Sequence, residues 1–76
     1  MLLKEIFGKR VKELRIKKNL KQSELGEIVG LTCTAISDIE RARRTTTLEK
    51  LGALADYFDV SVDYLMGRTD NPRINR

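Results

Sequence analysis

The chain has 76 residues, with fifteen Lys+Arg against eleven Asp+Glu, no His, no Trp, one Cys and one Pro. That length allows one small domain burying about 60% of its unfolded surface. At 41% hydrophobic and 34% charged it is too apolar for a disordered chain. A lone Cys33 rules out an internal disulfide framework and points to a cytoplasmic setting. With no histidine there is neither a Cys–His nucleophile nor a Cys/His zinc site, so neither a metal nor another cofactor is expected. Scattered carboxylates are all that remains for catalysis, which argues against an enzyme.

Charge is segregated along the chain. Residues 1–22 carry eight bases and two acids, residues 23–40 four acids and no base, and residues 41–50 four bases and one acid. Two basic segments thus flank an acidic one, which suits either a solvated helix face or a polyanionic partner. Lys4-Glu5 interrupts any apolar run after Met1-Leu2-Leu3, so neither an export signal nor a membrane span is expected.

Helical periodicity runs almost throughout, and no alternating strand pattern occurs. Leu3, Phe7, Val11 and Leu14 form the inward stripe of a first helix, with Lys4, Lys9, Lys12, Arg15 and Lys17 opposite. It ends near Asn19, a residue that tolerates a left-handed C-cap. A second helix runs from about Gln22 to Val29, with Leu25, Ile28 and Val29 inward, and stops at Gly30. Thr32 caps a third helix that buries Ile36 and Ile39. Arg41 to Thr47 reads as a loop. Thr46 with Glu49 fits a capping box opening a fourth helix, whose inward face is Leu48, Leu51, Leu54, Ala55 and Phe58. Ser61 caps a short fifth helix ended by Gly67. The expectation is an all-α, five-helix domain over residues 1–67 and a flexible tail over 68–76.

The stretch from Gln22 to Arg41 carries the function. Two short helices crossing steeply at a tight turn need a very small residue where they meet, here Gly26, and a turn residue of unusual backbone, here Gly30. They also need a hydrophobic plug after the turn, here Leu31, and buried contacts from Leu25, Val29, Ile36 and Ile39. That is helix-turn-helix spacing, in which the second helix can enter a DNA major groove.

Phe7 to Arg15, Leu20 to Leu25, Ile36 to Arg41 and Leu54 to Pro72 together resemble the Cro/C1-type, or Xre, helix-turn-helix regulators. The resemblance implies a lambda-repressor-like five-helix domain that binds an operator in double-stranded DNA as a two-fold homodimer, repressing or activating transcription. It places Gln22 on a phosphate, the outward residues Thr32, Cys33, Thr34, Ser37 and Asp38 on base edges, and Arg41, Arg43 and Arg44 on the backbone. It also implies that Arg15 and Glu40 join the first helix to the end of the third. Ala42 and Thr46 depart from the family's usual Gly and Pro, which leaves the geometry of that loop open.

Residues 33–40 contain none of the Lys, Arg, Gln or Asn side chains that read guanine and adenine bidentately. Thr34 and Ser37 suit either kind of base, Asp38 suits a cytosine N4, and Cys33 or the Thr34 methyl suits a thymine methyl. Asp38 as a solvated acid and Ser37 as a spacer stay open. Affinity is expected from Lys21, Arg41, Arg43, Arg44 and the first helix, with DNA shape contributing specificity. Tyr57, Val62, Tyr64, Leu65 and Met66 are candidates for a dimer interface, the alternative being that Leu65 and Met66 close the core. A competing function is a protein-interaction module or antitoxin on the same fold, favoured by the acidic third helix and opposed by the two basic clusters.

Overall fold

The computed structural model describes residues 3–74. The first two residues of the expected domain and the last two of the expected tail lie outside them. Five helices follow in chain order: α1 (Leu3–Lys17), α2 (Gln22–Val29), α3 (Cys33–Glu40), α4 (Leu48–Phe58) and α5 (Val62–Leu65), with no strand among the described residues. α3 lies against both α1 and α2, while α4 and α5 close the other side.

Every helix ends in the same way. A left-handed residue follows it, at Asn19, Gly30, Ala42, Asp59 and Gly67. The next amide then donates to the carbonyl five residues back: Leu20 to Arg15 (3.1 Å), Leu31 to Gly26 (2.7 Å), Arg43 to Asp38 (2.8 Å), Val60 to Ala55 (3.0 Å) and Arg68 to Asp63 (2.9 Å). These closures satisfy carbonyls that a helix end otherwise leaves open. They also turn the chain sharply, which lets five short helices surround one core. Hydroxyls cap the starts of α3, α4 and α5. Thr32 Oγ1 accepts from Ala35 N–H, and Ser61 Oγ from Tyr64 N–H, both at 3.0 Å.

The core is built from Phe7, Val11, Leu25, Ile36, Ile39, Leu54, Phe58 and Leu65, joined by Val29, Ala55 and Val60. Three expectations need correction. Leu65 is fully buried, so it closes the core and has no surface to offer a second subunit. The N-cap of α4 is Thr47, whose Oγ1 accepts from Lys50 N–H at 3.2 Å, one residue later than the expected Thr46. Leu48 therefore becomes the first residue of α4, and because helical side chains lean toward the N-terminus it projects beyond the core, 83% exposed. Ile28 and Leu3 are about half exposed, Ile28 because Leu25, Gly26 and Val29 already fill the buried face of α2.

The stretch after Gly67 makes contacts with the domain. Arg10 of α1 donates to the carbonyls of Tyr64 and Thr69 (2.7 Å for the latter) and to Asp70 Oδ1 (2.8 Å), and its guanidinium lies 4.1 Å from the centre of the Tyr64 ring. Ser61 N–H donates to Pro72 O at 2.9 Å. Residues 69–72 are thus tied back onto α1 and α5. Tyr57, another interface candidate, packs edge-on against Phe58 with Lys18 5.0 Å above its ring.

Candidate nucleic-acid interface

The α2–α3 corner depends on two glycines for different reasons. Gly30 sits at φ 77°, where a side chain is strained. Gly26 is needed because a Cβ there would overlap Leu31 O and crowd Thr32. The obstacle is the returning turn backbone, where the sequence suggested the crossing helix itself. Leu31, Ile36 and Ile39 then pack inward as expected.

A third glycine escaped sequence reasoning. A Cβ on Gly8, midway along α1, would overlap the carbonyl oxygen of Ile39, so α1 and α3 meet backbone against backbone. The signal was a glycine inside a strongly periodic helix, which costs helix stability and so implies a packing reason.

The position of α3 is held by an ionic junction. Glu40 accepts from Arg15 Nε at 2.6 Å, from Arg15 Nη2 at 3.0 Å and from Gln22 Nε2 at 3.1 Å, while Arg15 Nη1 donates to Leu20 O at 2.7 Å. One cluster therefore gathers the end of α1, the first turn between helices, the start of α2 and the end of α3. The hydrogen bond with Glu40 raises the Arg15 pKa above its ordinary value, against the opposing effect of burial. Gln22 spends one amide hydrogen on Glu40 and keeps the other. The chain neighbours of that contact, Lys21 before α2 and Arg41 after α3, are both exposed.

The outward face of α3 presents Cys33 and Thr34 exposed and Ser37 and Asp38 partly so. Thr32 is exposed as well, but its hydroxyl oxygen is engaged as the cap of the helix. Beyond α3, Arg41 and Arg43 are exposed, whereas Arg44 Nε stands 3.5 Å from Asp38 Oδ2, pairing two residues that the sequence assigned separately to backbone and base. The basic stretch at the N-terminus is less available than its charge suggests, since Arg10 and Arg15 are both engaged within the domain. Lys50, counted before only as charge, reaches from α4 to Gly30. Among the described residues no helix is long and apolar enough to cross a membrane, and no cluster of His, Cys, Asp or Glu is arranged to hold a metal ion.

A family model described as helix-turn-helix matches residues 11–65, from α1 through α5. The chain belongs to the helix-turn-helix family. It is 41% identical over 68 residues to the control protein C.SmaI of Serratia marcescens, covering 90% of this chain and 81% of that one. It is 34% identical over 67 residues to the HTH-type transcriptional regulator YobD of Bacillus subtilis, covering 88% of this chain and 60% of the longer relative. The crystal structure of the P22 c2 repressor in complex with synthetic operator 9T superimposes with a TM-score of 0.77 at 35% identity, covering 87% of this chain and 94% of that one. This helix-turn-helix domain therefore matches most of the control protein and just over half of the Bacillus regulator.

Proposed function

We propose that this helix-turn-helix protein is a sequence-specific DNA-binding regulator of transcription, acting as a repressor and as a homodimer on a palindromic operator. The observation carrying the proposal is the rigid placement of α3. Backbone contact at Gly8 and the Arg15–Glu40–Gln22 junction hold it, while Cys33, Thr34, Ser37 and Asp38 remain open to solvent on its far side. A major groove about 12 Å wide admits one such helix. Lys21, the second amide hydrogen of Gln22, Arg41 and Arg43 supply phosphate contacts beside the C-terminal end of the reading helix. The P22 repressor, similar in fold and sequence, was solved on a synthetic operator, which supports the same docking.

A single domain of this size offers little contact area, so two copies are needed on half-sites about one DNA turn (~34 Å) apart. Val62 and Tyr64 of α5 and Met66 just after it, together with Tyr57, keep partial exposure for that contact. Selection of bound duplexes from a random pool tests the reading: a palindrome of fixed spacing is expected. A plot of log affinity against log salt is expected to fall with a slope of about −3 per subunit from three cations. A slope near zero would remove DNA binding, and sedimentation of monomer alone on the selected duplex would remove the dimer.

A further inference from the structure

The end of α3 returns the chain to the helix it has just left. Ala42 turns the backbone left-handed, Arg43 N–H closes on Asp38 O at 2.8 Å, and Arg44 is carried back beside the Asp38 side chain. Its Nε lies 3.5 Å from Asp38 Oδ2, with side-chain exposures of 55% and 23%. Asp38 stands one helical turn beyond Thr34, on the same outward face. A bare carboxylate there would be repelled by the phosphates that the exposed cations attract. Neutralised by a guanidinium that the turn delivers, it becomes a hydrogen-bond acceptor at little electrostatic cost. In the major groove, cytosine offers the N4 donor that such an acceptor needs. Adenine sets an N7 acceptor beside its N6 donor, and guanine presents two acceptors, both unfavourable to a carboxylate.

We infer that Arg44 is a specificity-positioning residue: it neutralises and holds Asp38 so that the carboxylate accepts from a cytosine N4, and it is not a phosphate clamp. This rests on the DNA-binding reading above. An ion pair this exposed contributes little to folding, so its loss is expected to shift the melting temperature by less than about 4 °C.

The experiment uses the 76-residue chain and duplexes selected by the wild type, with all four base pairs tried in turn at each position of a half-site. The wild type is expected to favour a C·G pair at one position by about tenfold. Asp38→Ala and Arg44→Ala each abolish that preference while leaving preferences elsewhere intact. The double variant loses no more than either single one, and Arg44→Lys restores the preference by restoring the charge. The inference is overturned if Arg44→Ala weakens every duplex by the same factor, lowers the salt slope by about one and keeps the cytosine preference, which is the behaviour of a phosphate clamp. It is equally overturned if no base preference follows Asp38. A wild-type chain that retains no duplex would overturn both this inference and the DNA-binding reading, whereas a uniform Arg44 effect on bound duplexes overturns this inference alone.

Discussion

Arg15 and Glu40 meet almost out of water, with side-chain exposures of 13% and 3%, and exchange two hydrogen bonds of 2.6 and 3.0 Å. Removing one partner from such a pair leaves a buried charge uncompensated. Glu40→Ala is expected to cost about 3 kcal/mol in urea unfolding, a large share of the roughly 4–11 kcal/mol typical of a domain this size. Raised above its ordinary value, the Arg15 pKa leaves that residue protonated in both folded and unfolded chains at neutral pH. Its share of the stability is therefore lost only as pH climbs through the raised folded pKa, and unfolding followed across neutral pH should show no step from it.

Ala42 adopts φ 61°, a conformation that costs a residue bearing a Cβ about 1–2 kcal/mol. Ala42→Gly relieves that strain at some cost in unfolded-chain entropy, and a net gain of about 1 kcal/mol is expected. Because this turn brings Arg44 to Asp38, the substitution should leave base preference unchanged while raising the urea midpoint.

Gly8 and Gly52 both sit inside helices and should respond in opposite directions to alanine. At Gly8 the new Cβ overlaps Ile39 O, and neither backbone can yield without parting α1 from α3. Gly8→Ala is expected to cost about 3 kcal/mol and to weaken DNA binding by displacing the reading helix. At Gly52 nothing lies within 4 Å, so Gly52→Ala should gain about 1 kcal/mol of helix propensity. Thermal melts of the two variants, compared with wild type, check both signs.

Arg10 holds the segment after Gly67 to the domain through Tyr64 and Thr69. Its pairing with Asp70 adds little, since that carboxylate is fully exposed. Arg10→Ala is expected to cost about 2 kcal/mol through the lost carbonyl bonds and ring contact. The Ser61 amide, bonded to Pro72 O, should then exchange its hydrogen faster than other capped amides, and trypsin should cut sooner after Arg68.

By itself the sequence determined what depends on near neighbours. The helical stripes, the caps at Thr32 and Ser61 and the left-handed turns at Asn19 and Gly30 all follow from residues within five positions of one another, and the helix-turn-helix is a pattern contained in the twenty residues from Gln22 to Arg41. Where a local pattern was read one residue early, at Thr46 for Thr47, the error was enough to turn Leu48 from an inward residue into an exposed one. Tertiary structure decided which cations are available to a partner. Arg10 finds its partners 54 to 60 residues away, a distance over which spacing carries no information about contact, and the Arg15–Glu40 pair, 25 residues apart, was expected from the family resemblance alone and not from spacing. Helix packing removes those two arginines from a basic surface that composition alone would have assigned them, and leaves Lys21, Arg41 and Arg43 exposed around α3. Charge is a property of the sequence, but its availability depends on which side chains the fold brings within a hydrogen bond of one another.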